Sequence, residues 1–214
     1  RSTRVRSSAA PDVYKRQAMS NQKLTPRITN TARALWLIYL GLTILCLSSY
    51  KLAGMSFFDS FAHALSTVSI GGFSTHDASI GFFNNINIEI VCMVFMILSA
   101  INFSLHYGLI YRKQFLKYFY DPELRFFLSI LFVITTVVCI SLFTLTDIAN
   151  PLRYGIFQSV SIVTTTGFLT KEYSSWPTMI SFLLLLGAFM GACSGSVGGA
   201  VSYTHLRAHE TIAN

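Results

Sequence analysis

Charge is scarce in this chain: 12% of its 214 residues are Asp, Glu, Lys or Arg, against about 25% in an ordinary soluble domain. That shortage excludes a fold wetted on all sides. The apolar fraction is 52% and is gathered into long runs, which points to a lipid bilayer as solvent. The formal charge of +7 is not a nucleic-acid footprint. Much of it sits in Arg1, Arg4, Arg6, Lys15 and Arg16, and between Ala18 and Val201 ten basic residues face seven acidic ones. The four cysteines, Cys46, Cys92, Cys139 and Cys193, lie inside apolar segments without metal-ligand spacing. They read as small hydrophobes rather than as a disulfide or zinc framework. A secretory leader is not expected either, because the start is basic and polar and the first apolar run is too long and lacks a cleavage site.

The two ends share no periodicity with the interior. Residues 1–17 (RSTRVRSSAAPDVYKRQ) and 202–214 (SYTHLRAHETIAN) read as non-native flanks, with ordinary polar tails as the alternative. The interior divides into 18–125 and 126–201. Long apolar segments run from Ala34 to about Ala53, from about Ile86 to Tyr111 and from Phe126 to Thr146, and a fourth begins at Thr178 and changes character at Gly191. At 1.5 Å per helical residue the first three can each cross roughly 30 Å of hydrocarbon. Phe57–Ser69 and Leu152–Val163 are apolar but too short to cross. Lys23, Arg27 and Arg33 precede the first span, and Arg112, Lys113, Lys117 and Arg125 separate the second from the third. The positive-inside rule places both clusters in the cytoplasm. Phe57–Asn85 must then start and finish outside, as a short helix that dips in and returns.

The chain repeats itself at a shift of 95 positions, which sets Gly72-Phe73 on Gly167-Phe168, Ser66 on Ser161, Val68 on Val163 and Thr75 on Thr170. The repeating unit is a long span, a short helix, a Gly-Phe loop and a second span. The loops are Ser69, Ile70, Gly71, Gly72, Phe73 and Thr164, Thr165, Thr166, Gly167, Phe168. Irregular backbone at membrane depth is tolerated only in protein or beside a wet cavity. Glycine lets successive carbonyls face one axis. The Ser and Thr hydroxyls add oxygens, and the two Phe rings are expected to anchor the loops by packing. Each short helix aims its partly negative C-terminal end at its loop, which favours a cation. Neither loop holds a carboxylate, so a monovalent ion fits better than a divalent one. Helix-breaking turns of a scaffold are the plainer alternative.

Ser66 to Gly81 resembles the second pore loop of the Trk/Ktr/HKT superfamily of potassium transporters, closest to its bacterial uptake branch. Thr164-Thr165-Thr166-Gly167-Phe168 is similar to the third pore loop. Gly191, Ala192, Cys193, Ser194, Gly195, Ser196, Val197, Gly198 and Gly199 resemble the intramembrane gating loop that follows, and Pro26-Arg27-Ile28 with Leu35-Trp36 resembles the opening of the second repeat. The resemblance covers about residues 21 to 200. It implies an all-α integral membrane fold of potassium-channel-like span–pore helix–filter loop–span repeats. The second repeat is present and the third is truncated in its gating loop. It also implies potassium as substrate at the filter residues, with no covalently bound cofactor and no enzymatic activity. A multi-pass place in the bacterial inner membrane, contact with membrane lipid, a homodimer and a cytosolic nucleotide-binding regulatory subunit are implied as well.

Several residues stay open between two readings. Gly187, Gly191, Gly195 and Gly199 form a small-xxx-small ridge for close helix packing that competes with a gate. Asn102 and His106 lie one turn apart in the second span and either line a pore or join helices. Asp59, Asp77 and Glu89 fall outside and either concentrate cations or are solvated loop carboxylates. Gly191–Gly195 superficially resembles a nucleophile elbow, but no strand–turn–helix setting or base accompanies it. A non-conducting assembly subunit remains the other alternative, favoured if the Gly-Phe loops are helical or buried.

Overall fold

The computed structural model describes residues 10–146, 148–173 and 176–198, with side-chain detail from Asn30 onward except at Lys117 and Met190. Most of each flank, and Gly199, lie outside the described residues. All described regular structure is helical: α1 (Ala10–Leu52), α2 (Phe57–Val68), a 3-10 turn (Ser79–Phe83), α3 (Ile86–Ala100), α4 (Phe103–Arg112), α5 (Phe115–Tyr120), α6 (Pro122–Leu145), α7 (Pro151–Val163) and α8 (Thr178–Met190). The all-helical membrane fold expected from the sequence is the one observed. Backbone contacts divide the chain after Leu37. Within the first unit the described residues are the first part of α1; the packing and the site described below lie in the second unit.

Asn30–Leu52 and Pro122–Leu145 are long and apolar enough to cross a membrane. Asp121 caps α6, its side chain accepting the Glu123 and Leu124 N–H groups at 3.0 Å, and Pro122 takes the first-turn position where a missing N–H costs nothing. Leu131, Ile134, Val138 and Leu142 form a buried stripe at helical spacing on α6. They join a core with Phe157, Val160 and Val163 of α7 and Ile180 and Leu184 of α8. The opposite face carries Phe132 and Phe143, both more than 70% exposed, as expected of a helix whose outer side meets hydrocarbon. Gly187 lets α8 approach closely: a Cβ there would lie 2.9 Å from Ile134 Cδ1 and Val163 Cγ2.

The second span departs from expectation. Instead of one helix from Ile86 to Tyr111, α3 and α4 meet at a 92° bend around Ile101 and Asn102. The groups freed by the bend are satisfied by specific partners, so the break is stable. Asn102 caps α4 by accepting the Ser104 N–H, and the His106 Nε2–H donates to the Leu98 carbonyl at 2.9 Å. The Ser99 and Ala100 carbonyls receive N–H groups from Val197 and Cys193. Asn102 and His106 therefore repair a broken span rather than punctuate a continuous one.

Glu89 also departs from the picture of a solvated outer carboxylate. It is 2% exposed and accepts a bidentate pair of bonds from Arg153, Nε to Oε2 at 2.8 Å and Nη2 to Oε1 at 2.7 Å. Arg153 also donates to the Asn84 side chain at 3.1 Å. A cation in the first turn of a helix opposes the helix dipole, and the carboxylate offsets that. The pair ties α3 of one repeat to α7 of the next.

Candidate functional site

The two short helices end alike. Their C-caps, Ser69 (φ −78°, ψ −3°) and Thr164 (φ −75°, ψ −3°), are still right-handed. The next residues, Ile70 and Thr165, turn left-handed at φ 56° and 64°. The Ile70 N–H bonds the Thr67 carbonyl at 3.1 Å and the Gly71 N–H the Ser66 carbonyl at 2.8 Å. In the second loop Thr165 bonds Ile162 and Thr166 bonds Ser161, both at 2.9 Å. Both loops thus carry the paired bonds of a Schellman cap, at the same shift that relates the sequences. Glycine usually takes the left-handed seat of such a cap. Here two β-branched residues do, at a cost of roughly 1–3 kcal/mol each. Two residues further on, Gly72 and Gly167 are again left-handed, at φ 69° and 86°.

The caps take up the N–H groups of Ser69 to Gly71 and of Thr164 to Gly167 and leave carbonyls over. Among the described residues, the carbonyls of Ser69, Ile70, Gly71, Gly72, Phe73, Thr164, Thr166 and Gly167 accept no protein hydrogen bond. The hydroxyls behave differently from the sequence expectation. Thr164 Oγ1 bonds the Val160 carbonyl and Thr166 Oγ1, both at 2.8 Å. These hydroxyls are turned into the protein, because a threonine one turn past a helix carbonyl bonds back to it.

The loops also touch. A Cβ on Gly72 would fall 2.0 Å from the Thr166 carbonyl oxygen, so only glycine allows this approach. Beyond the loops the repeats interlock again: Gly81 donates to the Leu169 carbonyl at 3.0 Å, and Leu169 donates to Ser79 Oγ at 3.2 Å. Phe168 is fully buried, its ring lying along His63 at 6.0 Å and 27°. Phe73 is 80% exposed among the described residues, so the packing anchor is seen at Phe168.

Beside the loops lies the Gly/Ser/Cys segment. α8 stops at Met190 and Gly191 leaves the helix at φ 63°, ψ −162°. The packing ridge therefore ends at Gly191. Cys193 donates to the Ala100 carbonyl at 2.9 Å, Val197 to Ser99 at 3.3 Å, and Gly195 accepts from Phe103 at 3.1 Å. The Ser194 N–H donates to Glu123 Oε1. A Cβ on Gly198 would sit 3.3 Å from both Ile70 Cδ1 and the Thr164 carbonyl. Residues 191–198 thus bridge the bent span, the start of α6 and both helix caps. Because α8 precedes Gly191–Gly195, the elbow reading lacks its strand. Sequence reasoning missed Glu123, Arg153 and His63. Asp121-Pro122-Glu123 is a legible helix start, but nothing in it names a partner in a distant loop.

Comparisons with known proteins place the chain. A family model described as "Cation transport protein" (TrkH) matches residues 12–209. A Trk system potassium uptake protein TrkH of Halomonas elongata is 46% identical over 185 residues, 86% of this chain and 38% of that protein. The Trk system potassium uptake protein TrkG of Escherichia coli is 43% identical over 183 residues, 85% of this chain and 38% of that protein. The crystal structure of the potassium transporter TrkH from Vibrio parahaemolyticus superposes with a TM-score of 0.80 at 40% identity, covering 87% of this chain and 42% of that one. The chain spans well under half the length of these relatives. With two matching cap-and-glycine loops and a broken span behind them, the chain belongs to the TrkH family of cation transport proteins.

Proposed function

We propose that this chain supplies two adjacent pore loops and a gating segment of a potassium-uptake subunit in the bacterial inner membrane. Potassium is the substrate, and the chain acts as a transporter part rather than an enzyme. The ligands are backbone carbonyls of Ser69–Phe73 and Thr164–Phe168. The observation that carries this reading is the division of labour at each cap: the N–H groups of Ser69 to Gly71 and of Thr164 to Gly167 are bonded back into a pore helix, while the carbonyls of Ser69 to Phe73 and of Thr164, Thr166 and Gly167 accept no bond among the described residues. Unpaired carbonyls at membrane depth are costly unless water or an ion completes them, and carbonyls without carboxylates suit a dehydrated monovalent cation. The loops are not helical, which counts against a pure assembly role, although Thr164, Thr166 and Phe168 of the second loop are buried. Residues 191–199 act as a constriction beside the filter that a cytosolic nucleotide-binding partner moves, and the complete subunit works as a homodimer.

The test is flux through a full-length subunit containing this segment, reconstituted in vesicles. Potassium and rubidium should pass well ahead of sodium, and Gly72→Ser should lower that preference while the protein stays in the membrane. Uptake that is absent, or equal for sodium and potassium in the unaltered subunit, would overturn the proposal.

A further inference from the structure

Behind the first loop stands a histidine that the carbonyl chemistry does not use. His63 lies on α2 and is completely buried. Its Nδ1 is 2.8 Å from the Asp59 carbonyl. A carbonyl only accepts, so Nδ1 carries the proton and Nε2 of the neutral ring is an acceptor. Nε2 lies 2.9 Å from Ser74 Oγ, and Ser74 therefore donates to it. Ser74 Oγ in turn accepts the His76 N–H at 3.1 Å. The chain of bonds runs in one direction, from the backbone of His76 through Ser74 and His63 to the backbone of α2. Asp59 adds a second tie, accepting Thr75 Oγ1 at 2.7 Å and lying 3.3 Å from His76 Nε2. Ser74, Thr75 and His76 are the residues that leave the loop after Phe73. The same imidazole lies along Phe168 of the other loop and meets Phe83 edge-on at 5.5 Å.

The second repeat repeats the device with other atoms. At the position equivalent to His63 stands Gln158, also completely buried. Its Nε2 donates to the carbonyl of Lys171 at 3.3 Å, and Lys171 is the equivalent of His76. Both pore helices thus hold the departing limb of their own loop with one buried side chain.

We infer that His63 is a positioning residue for ion selection: it fixes the return limb of the loop 69–73 through Ser74 and seats Phe168 of the neighbouring loop, setting the spacing of both carbonyl rows. The inference rests on the proposed filter. The ring touches no ion and acts through geometry alone. A weakened limb lets the carbonyls close around a smaller ion, so the effect falls on discrimination more than on expression.

The test is a double-mutant cycle on the potassium-to-sodium permeability ratio of the full-length subunit in vesicles. His63→Phe keeps a ring against Phe168 and loses the acceptor; Ser74→Ala removes the donor at a half-buried site that folding tolerates. Each should lower the ratio by about five- to tenfold, the size of one lost hydrogen bond. The double variant should lose no more than either single one, because the two share a bond. Ratios unchanged in both variants, or losses that multiply, would overturn the assignment. If His63→Phe fails to reach the membrane, Ser74→Ala decides alone: a lowered ratio supports the bracket and an unchanged ratio sinks it. An unaltered subunit without potassium preference would instead overturn the filter itself.

Discussion

At the scale of single residues, Gly72 and Gly167 occupy equivalent seats in the two loops. Both are left-handed, so any side chain costs about 1–2 kcal/mol in backbone strain. Gly72 also meets an atom of the other loop, the Thr166 carbonyl oxygen 2.0 Å from its Cβ direction, whereas a Cβ on Gly71 would meet only Ser69 and Phe73 of its own loop. Gly72→Ala should therefore disturb both loops and Gly71→Ala only its own. In full-length protein, the potassium-to-sodium ratio of Gly72→Ala should fall further than that of Gly71→Ala. Equal losses would mean that the inter-loop contact does not set the spacing. Glu89 offers a second test. Removing its charge leaves Arg153 at a helix N-terminus without its carboxylate, so Glu89→Gln should lower thermal stability by about 1–3 kcal/mol, part of the loss being offset by solvent around the guanidinium. The exchange of Glu89→Arg with Arg153→Glu should restore part of it, as read by melting in detergent. A Glu89→Gln protein as stable as the parent would show the pair to be neutral.

At the scale of elements, the segment 191–198 is held by three backbone hydrogen bonds and the Glu123 carboxylate. Each backbone bond contributes about 1 kcal/mol net and the carboxylate bond about 1.5–3 kcal/mol. A regulator supplying a few kcal/mol can shift such a balance. Glu123→Ala should then raise regulator-independent potassium flux by about tenfold or more, and deleting Ala192–Val197 should raise it further. Reduced flux from a correctly folded Glu123→Ala protein would assign the segment to packing. The helices themselves were legible because a bilayer demands fixed lengths: α2, α7, α8 and the stop at Gly191 fall within a residue or so of their apolar runs. The bend at Ile101 and Asn102 was not. Ser99-Ala100-Ile101-Asn102 contains neither Gly nor Pro, and its partners are backbone groups in a distant loop. The loops were legible as glycine turns, but a left-handed Ile70 was not, because no local rule places a β-branched residue there.

At the scale of the whole molecule, the charge pattern predicts sides. Single cysteines at Lys117 and Asp77, in an otherwise cysteine-free full-length protein, should react with an impermeant thiol reagent from opposite faces of the membrane. Reaction from one face would refute the re-entrant loop. The two repeats also meet in a directional way. The later loop sends Phe168 back onto His63 of the earlier repeat, and the earlier loop presses Gly72 forward against Thr166. For biogenesis this means that the later repeat, on leaving the translocation machinery, can seat Phe168 at once on the pore helix made before it, while Gly72 waits for the loop 164–168. Carbonyl-rich backbone would otherwise meet lipid during that wait. The order of synthesis thus becomes an order of closure, and a pause between repeats is a period of exposure for the loop just made.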